Sequence, residues 1–123
     1  PAQRWNFRWN QGVVERYDAQ QAGTEEPFTM QLHALRLGDV GIATNPFELF
    51  TDFGVQIKAR SRAVQTLILQ LTGDSGGYLP TERAVEGGGY SAVIQSSRVG
   101  PEGGQVLVDR TVEAINAFWP QSK

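Results

Sequence analysis

The chain has 123 residues, is 40% hydrophobic and carries a formal charge of −2. That allows one domain with a modest core, and so mild a negative balance excludes a large phosphate-binding surface, so no nucleic acid is expected as a partner. Without cysteine there is neither a disulfide framework nor a thiolate metal site, and no run of about 18 apolar residues is present to span a membrane.

Basic and aromatic residues mix only at the start, in QRWNFRWNQ, where packing of an amphipathic end outweighs stacking on bases. Residues 9–20, WNQGVVERYDAQ, read as a helix with Val13, Val14 and Tyr17 on one side. A loop, QAGTEEP, leads into the alternating FTMQLHALRL, and Gly38-Asp39 is a two-residue turn signal before VGIAT. The pattern predicts a β-hairpin near 29–44. Asn45-Pro46-Phe47-Glu48 then resembles a helix start, with Asn45 as N-cap, Pro46 at the first helical position and Glu48 at the third. Phe47, Phe50, Gly54 and Ile57 continue at helical spacing, which predicts a helix over 46–60. VQTLILQL, 64–71, is almost wholly apolar and reads as a strand buried on both faces.

Strand 40–44, helix 46–60 and strand 64–71 make a βαβ unit with parallel strands. A glycine-rich stretch, 72–90, follows. SAVIQSS is a candidate short strand, and VGPEGG is a turn opening a last helix near 104–119, with Val108, Val112, Ile115 and Trp119 on its apolar face. That helix is expected to stop at Pro120. The fold class is therefore α/β, with a mixed sheet, in a single domain or the C-terminal part of a larger one.

Within LTGDSGGYLP the letters Gly73-Asp74-Ser75-Gly76-Gly77 match the nucleophile loop of trypsin-like proteases, and His33, Asp39 or Asp52, and Ser75 fall in a suitable order. Physics argues against that reading. Such a site is assembled between two β-barrels, 123 residues are too few for two, and Gly, Ser and Asp are ordinary turn residues. In open α/β sheets, sites lie beyond the carboxyl ends of the strands. Two such ends are expected here, at Thr44 and near Leu71. Glu48 follows the first and Tyr78 the second, so both can face one cleft. Each also has a structural reading: Glu48 as the carboxylate of a capping box, Tyr78 as a loop anchor. Glu82, Arg83 and Glu86 read as solvated loop charges.

The blocks LRLGDVGIATNPFELF, LTGDSGGYLPTERAVEGGGY and VGPEGG, in this order and followed by the closing helix, resemble the neutral/alkaline ceramidase family and its bacterial relatives over roughly residues 10–119. The resemblance implies a zinc-dependent amidase cleaving an N-acyl bond, as in ceramide. In that family two histidines, a glutamate and a tyrosine hold the zinc. Glu48 matches the glutamate and Tyr78 the tyrosine. Tyr78 is also the expected catalytic residue, as a donor to an oxyanion or as a phenol that ionises beside a divalent cation.

The lipid enzymes carry PGEF where this chain has NPFELF, which leaves the identity of the N-acyl amide, lipid-like or not, open. The two zinc histidines lie upstream in the family, and His33 corresponds to neither. With Pro1 rather than Met at its head, the chain is expected to be the C-terminal portion of a larger enzyme. The upstream remainder of the same protein is then its partner, and alone it would bind zinc weakly and be inactive. The alternative is a non-catalytic binding or scaffold domain of the same fold.

Overall fold

The computed structural model describes residues 2–119, with side chains from residue 7 onward. Its elements are α1 (Ala2–Gln21), β1 (Ala34–Leu37), β2 (Val40–Thr44), β3 (Phe47–Leu49), α2 (Thr51–Arg60), β4 (Gln65–Leu69), β5 (Gly77–Leu79), α3 (Glu82–Gly87), a 3-10 turn (Tyr90–Ala92) and α4 (Pro101–Asn116). This is an α/β fold with a mixed sheet. β1 pairs antiparallel with β2, β2 pairs parallel with β4, and β3 and β5 form a separate two-stranded parallel ladder. Among the described residues no helix is long and apolar enough to cross a membrane.

Gly38 and Asp39 close the hairpin, with Gly38 at φ +60° and its carbonyl accepting from Arg36 Nε at 2.7 Å. β1 is shorter than the alternation of 29–37 suggests. No strand runs beside residues 28–33, because β2 ends at Thr44 opposite His33. The alternation is met instead by packing. Phe28 lies against Phe47 with ring centroids 5.3 Å apart, and Met30 joins the same core. Alternating apolar residues therefore report an extended segment with one covered side, not a ladder.

The inner face of the three-stranded sheet packs on α2 and α4. Its core comprises Ala43, Phe53, Ile57, Leu107, Val108, Val112 and Ile115, joined by Phe47, Leu49 and Leu79 from the short ladder. Two glycines permit the close approach. A Cβ on Gly41 would stand 3.0 Å from Ile115 Cγ2, and one on Gly104 would run into the Phe53 ring. The ends of α2 and α4 are also tied. Asn116 Nδ2 donates to the Arg60 carbonyl at 3.0 Å and its Oδ1 accepts from the Arg62 amide at 2.7 Å. Arg36 of β1 lies 4.4 Å from the centre of the Trp119 ring, which adds a cation–π contact.

Several expectations need correction. The helix expected over 46–60 starts at Thr51, because residues 47–49 find hydrogen-bonding partners in β5 and become a strand. Its end at Arg60 is as expected. β4 is not buried on both faces: Thr66 is buried and Ile68 half-buried, but Leu67 and Leu69 are 41% and 47% exposed. They lie on the outer face with Leu35 and Leu37, 55% and 72% exposed, and nothing covers that face among the described residues.

The stretch 91–97 is no strand. It holds the 3-10 turn and a single bridge from Ser97 to Gly77. α4 starts at Pro101, not 104, since proline suits the first helical turn, and ends at Asn116; Pro120 lies outside the described residues. α1 is longer than residues 9–20, and Val14 and Tyr17 are exposed, so its apolar residues do not form one covered face.

Candidate metal site

β2 stops at Thr44 because Pro46 cannot donate to a ladder and Asn45 turns the chain. Asn45 is buried, and its Oδ1 accepts from the Phe47 amide at 3.0 Å. Its own amide donates to Leu69 O at 2.9 Å, and its carbonyl accepts from the Thr72 amide at 2.9 Å. The Pro46 carbonyl accepts from the Gly76 amide at 2.8 Å. These bonds bind the turn after β2 to the turn after β4. The two chains leave the three-stranded sheet together and resume side by side as β3 and β5.

The register of that ladder is Phe47 with Gly77, Glu48 with Tyr78 and Leu49 with Leu79. Strand side chains alternate between faces. Phe47, Leu49 and Leu79 enter the core, so Glu48 and Tyr78 share the opposite, half-buried face. The two residues singled out from sequence, 30 positions apart, are thus direct cross-strand neighbours. Gly76 and Gly77 make this possible. A Cβ on Gly76 would strike the Phe47 ring, and Gly77 has φ +74° with the Ser96 carbonyl 2.7 Å from where a Cβ would stand.

Tyr78 has a raised pKa, above the ordinary tyrosine value. The largest cause is a hydrogen bond to the Glu48 carboxylate, followed by the charge of Glu48, then burial and Tyr90. The shift reflects the closeness of the two side chains across the ladder. Glu48 is not part of a capping box: it lies in β3, and α2 is capped at Phe50 with no side-chain cap bond. The bland sequence reading of Glu48 loses its geometric basis. Tyr78 also belongs to a strand rather than to a loop.

Ser75 is an exposed turn residue whose amide donates to Asp74 Oδ1 at 2.7 Å. Among the described residues no hydrogen bond joins it to His33, Asp39 or Asp52, and His33 is exposed beside the hairpin. Glu82, Arg83 and Glu86 are exposed as expected, but on a short helix, α3, whose N-cap Thr81 accepts from the Ala84 amide.

Two residues near the pair escaped the sequence reading. Tyr90 packs edge-on against Tyr78, centroids 5.9 Å apart at 81°, and Trp9 of α1 stacks on Tyr90 at 5.7 Å and 26°. The signal for Tyr90 was present in EGGGY, which repeats the glycine–tyrosine pairing of GGYLP. Nothing in the sequence marks Trp9 as its partner.

Glu48 and Tyr78 present two oxygen donors of kinds that zinc accepts. Among the described residues no three His, Cys, Asp or Glu side chains cluster as a metal site. On the opposite side of β3 a groove of about 1140 Å³ is lined by Phe28, Met30, Leu32, Phe47, Val106 and Leu107, among others. Neither Glu48 nor Tyr78 lines it. No protein-family model, curated protein or solved structure matches the chain.

Proposed function

We propose that this chain is the C-terminal part of a zinc-dependent amidohydrolase resembling neutral ceramidase, acting on an N-acyl amide. In this reading Glu48 and Tyr78 hold one side of the metal, and two histidines from polypeptide outside these 123 residues hold the other. The observation that carries the reading is the register pairing of Glu48 with Tyr78 just beyond the carboxyl ends of β2 and β4, where open α/β sheets build their sites.

When bound, zinc supplies Lewis-acid polarisation of the amide carbonyl and a water of lowered pKa. The residues of this chain supply placement and a proton. Glu48 offers a carboxylate on the face it shares with Tyr78. Tyr78 offers a phenol that, as a hydroxyl, would donate to an amide oxygen as negative charge develops on it. With only half of the donors, the chain alone is expected to bind zinc weakly and to lack amidase activity.

A second reading, a binding or scaffold domain of the same fold, is favoured by the absence of a third metal-binding side chain among the described residues. Zinc content separates the two. The gene product is expressed from its own start codon, beside its Glu48→Ala and Tyr78→Phe variants. About one zinc per chain, lost in Glu48→Ala, is the expected outcome. Zinc absent from the gene product, or indifferent to Glu48, overturns the metal reading and leaves the scaffold.

A further inference from the structure

β5 is a three-residue strand, bonded to β3 on one side and on the other only to Ser96 and Ser97. The Tyr78 side chain stands on its half-exposed face. Backbone pairing sets where its Cα lies, but not where its ring points, and a tyrosine on such a face has rotamers to choose from. Its register partner Glu48 stands beside it on the same face of the ladder. A contact to the ring selects among the rotamers that face Glu48 or turn away from it.

The Tyr90 ring makes that contact, perpendicular to Tyr78 with centroids 5.9 Å apart. Tyr90 is itself 69% exposed, so the core does not hold it. Trp9 does, stacked against it at 5.7 Å. α1 is anchored immediately beyond: Gln95 Nε2 donates to Asn10 Oδ1 at 2.9 Å, and Arg16 donates to the Ile94 carbonyl at 2.8 Å. The chain reaches Tyr90 through Gly88 and Gly89 at φ +71° and +111°, with open space where their Cβ atoms would be. Glycine is needed there for the path of the backbone, not for room. An exposed tyrosine delivered by a glycine turn and backed by a tryptophan from the far end of the chain gains little from burial. Its effect falls on Tyr78.

We propose that Tyr90, backed by Trp9, is a positioning residue that holds the Tyr78 ring where its hydroxyl faces Glu48. The inference rests on Glu48 and Tyr78 being the working pair, but it concerns their arrangement before any metal binds. Perpendicular aromatic packing of this kind is directional enough to select a rotamer. Residues that orient a metal ligand typically change metal affinity about 10–100-fold when lost.

The test uses the 123-residue chain with Tyr90→Phe and Tyr90→Ala variants. Two quantities are read: the nuclear Overhauser contact between the Tyr78 ring and the Glu48 side chain without metal, and the dissociation constant for zinc alone. Tyr90→Phe, which keeps the ring, should retain both. Tyr90→Ala should lose the contact and weaken zinc binding about tenfold or more. Retention of the contact in Tyr90→Ala overturns the proposal. So does loss in Tyr90→Phe, which would place the effect on the hydroxyl.

If the contact is lost in Tyr90→Ala while zinc binding is indifferent to Glu48→Ala, the metal reading falls and the positioning role stands. Should Tyr90→Ala fail to fold, Trp9→Leu removes only the backing. An unchanged Tyr78–Glu48 contact in that variant overturns the proposal.

Discussion

The β2–β4 pair of the three-stranded sheet and the two-stranded ladder are made from the same two runs of chain, each interrupted once. β2 and β4 pair in parallel, the chain breaks at Asn45-Pro46 and after Leu69, and β3 and β5 pair in parallel again. The longer pair carries aliphatic residues on both faces and rests on two helices. The shorter pair puts apolar residues on one face only, and on the other a carboxylate and a phenol that are register neighbours. The first ladder supplies rigidity, and the second borrows it. Phe47, Leu49 and Leu79 are sunk in the core that the sheet shares with α2 and α4, so the polar face is held from behind.

Removing the foundation should have the largest effect. Ile115 is fully buried beneath Gly41, and Ile115→Ala is expected to lower stability by about 2–5 kcal/mol in urea unfolding. Both ladders should be lost together. Survival of the Tyr78–Glu48 contact after the sheet has melted would show the short ladder to be independent.

Next comes Gly77→Ala, which breaks the short ladder alone. A Cβ at φ +74° and 2.7 Å from Ser96 O is strained, at a cost of about 1–3 kcal/mol. The Tyr78–Glu48 contact should disappear while α2 and α4 stay packed, a pattern that amide exchange resolves residue by residue. Equal loss of protection in both regions would mean that they unfold as one unit.

Glu48→Ala should barely affect stability, by about 0.5 kcal/mol or less, because Glu48 is only half-buried and caps no helix. Its effect is on titration. With Glu48 present, the Tyr78 pKa lies above its ordinary value, so the contribution of the hydrogen bond is complete below about pH 10. It is lost only as pH rises through the higher folded value. Phenolate absorbance should therefore appear at lower pH in Glu48→Ala than in the parent chain. Identical titrations would place the carboxylate out of reach of the phenol.

The smallest effect is predicted for the open side of the sheet. Leu37 is 72% exposed, and Leu37→Ser should change stability by about 0.5 kcal/mol or less. A loss several times larger would mean that this face is covered in solution.

Much of this architecture was legible in sequence because its signals are local. Gly38-Asp39 makes a tight turn whatever lies around it. VGIAT is β-branched and short, and its predicted span, 40–44, is the span of β2. The spacing of Val108, Val112 and Ile115 marks a helix with one covered face, and Ile57 and Val108 were readable as core from spacing alone. The nearness of Glu48 and Tyr78 followed from strand order, since residues after neighbouring parallel strands must lie at one edge.

What the sequence misled about was decided by partners far along the chain. Asn45-Pro46-Phe47-Glu48 has the composition of a helix start, yet Phe47–Leu49 gains more by hydrogen-bonding to Gly77–Leu79 than by one more helical turn. VQTLILQL carries no mark that one of its faces would be open. Trp9 and Tyr90 are 81 residues apart, and no local pattern predicts that they stack. By itself the sequence determined the hairpin turn, the span of β2 and which edge would carry the polar pair. Tertiary structure alone decided that Glu48 sits on a strand and that Tyr78 is its register neighbour, because a ladder pairing and a ring contact exist only once distant segments are brought within a few ångströms.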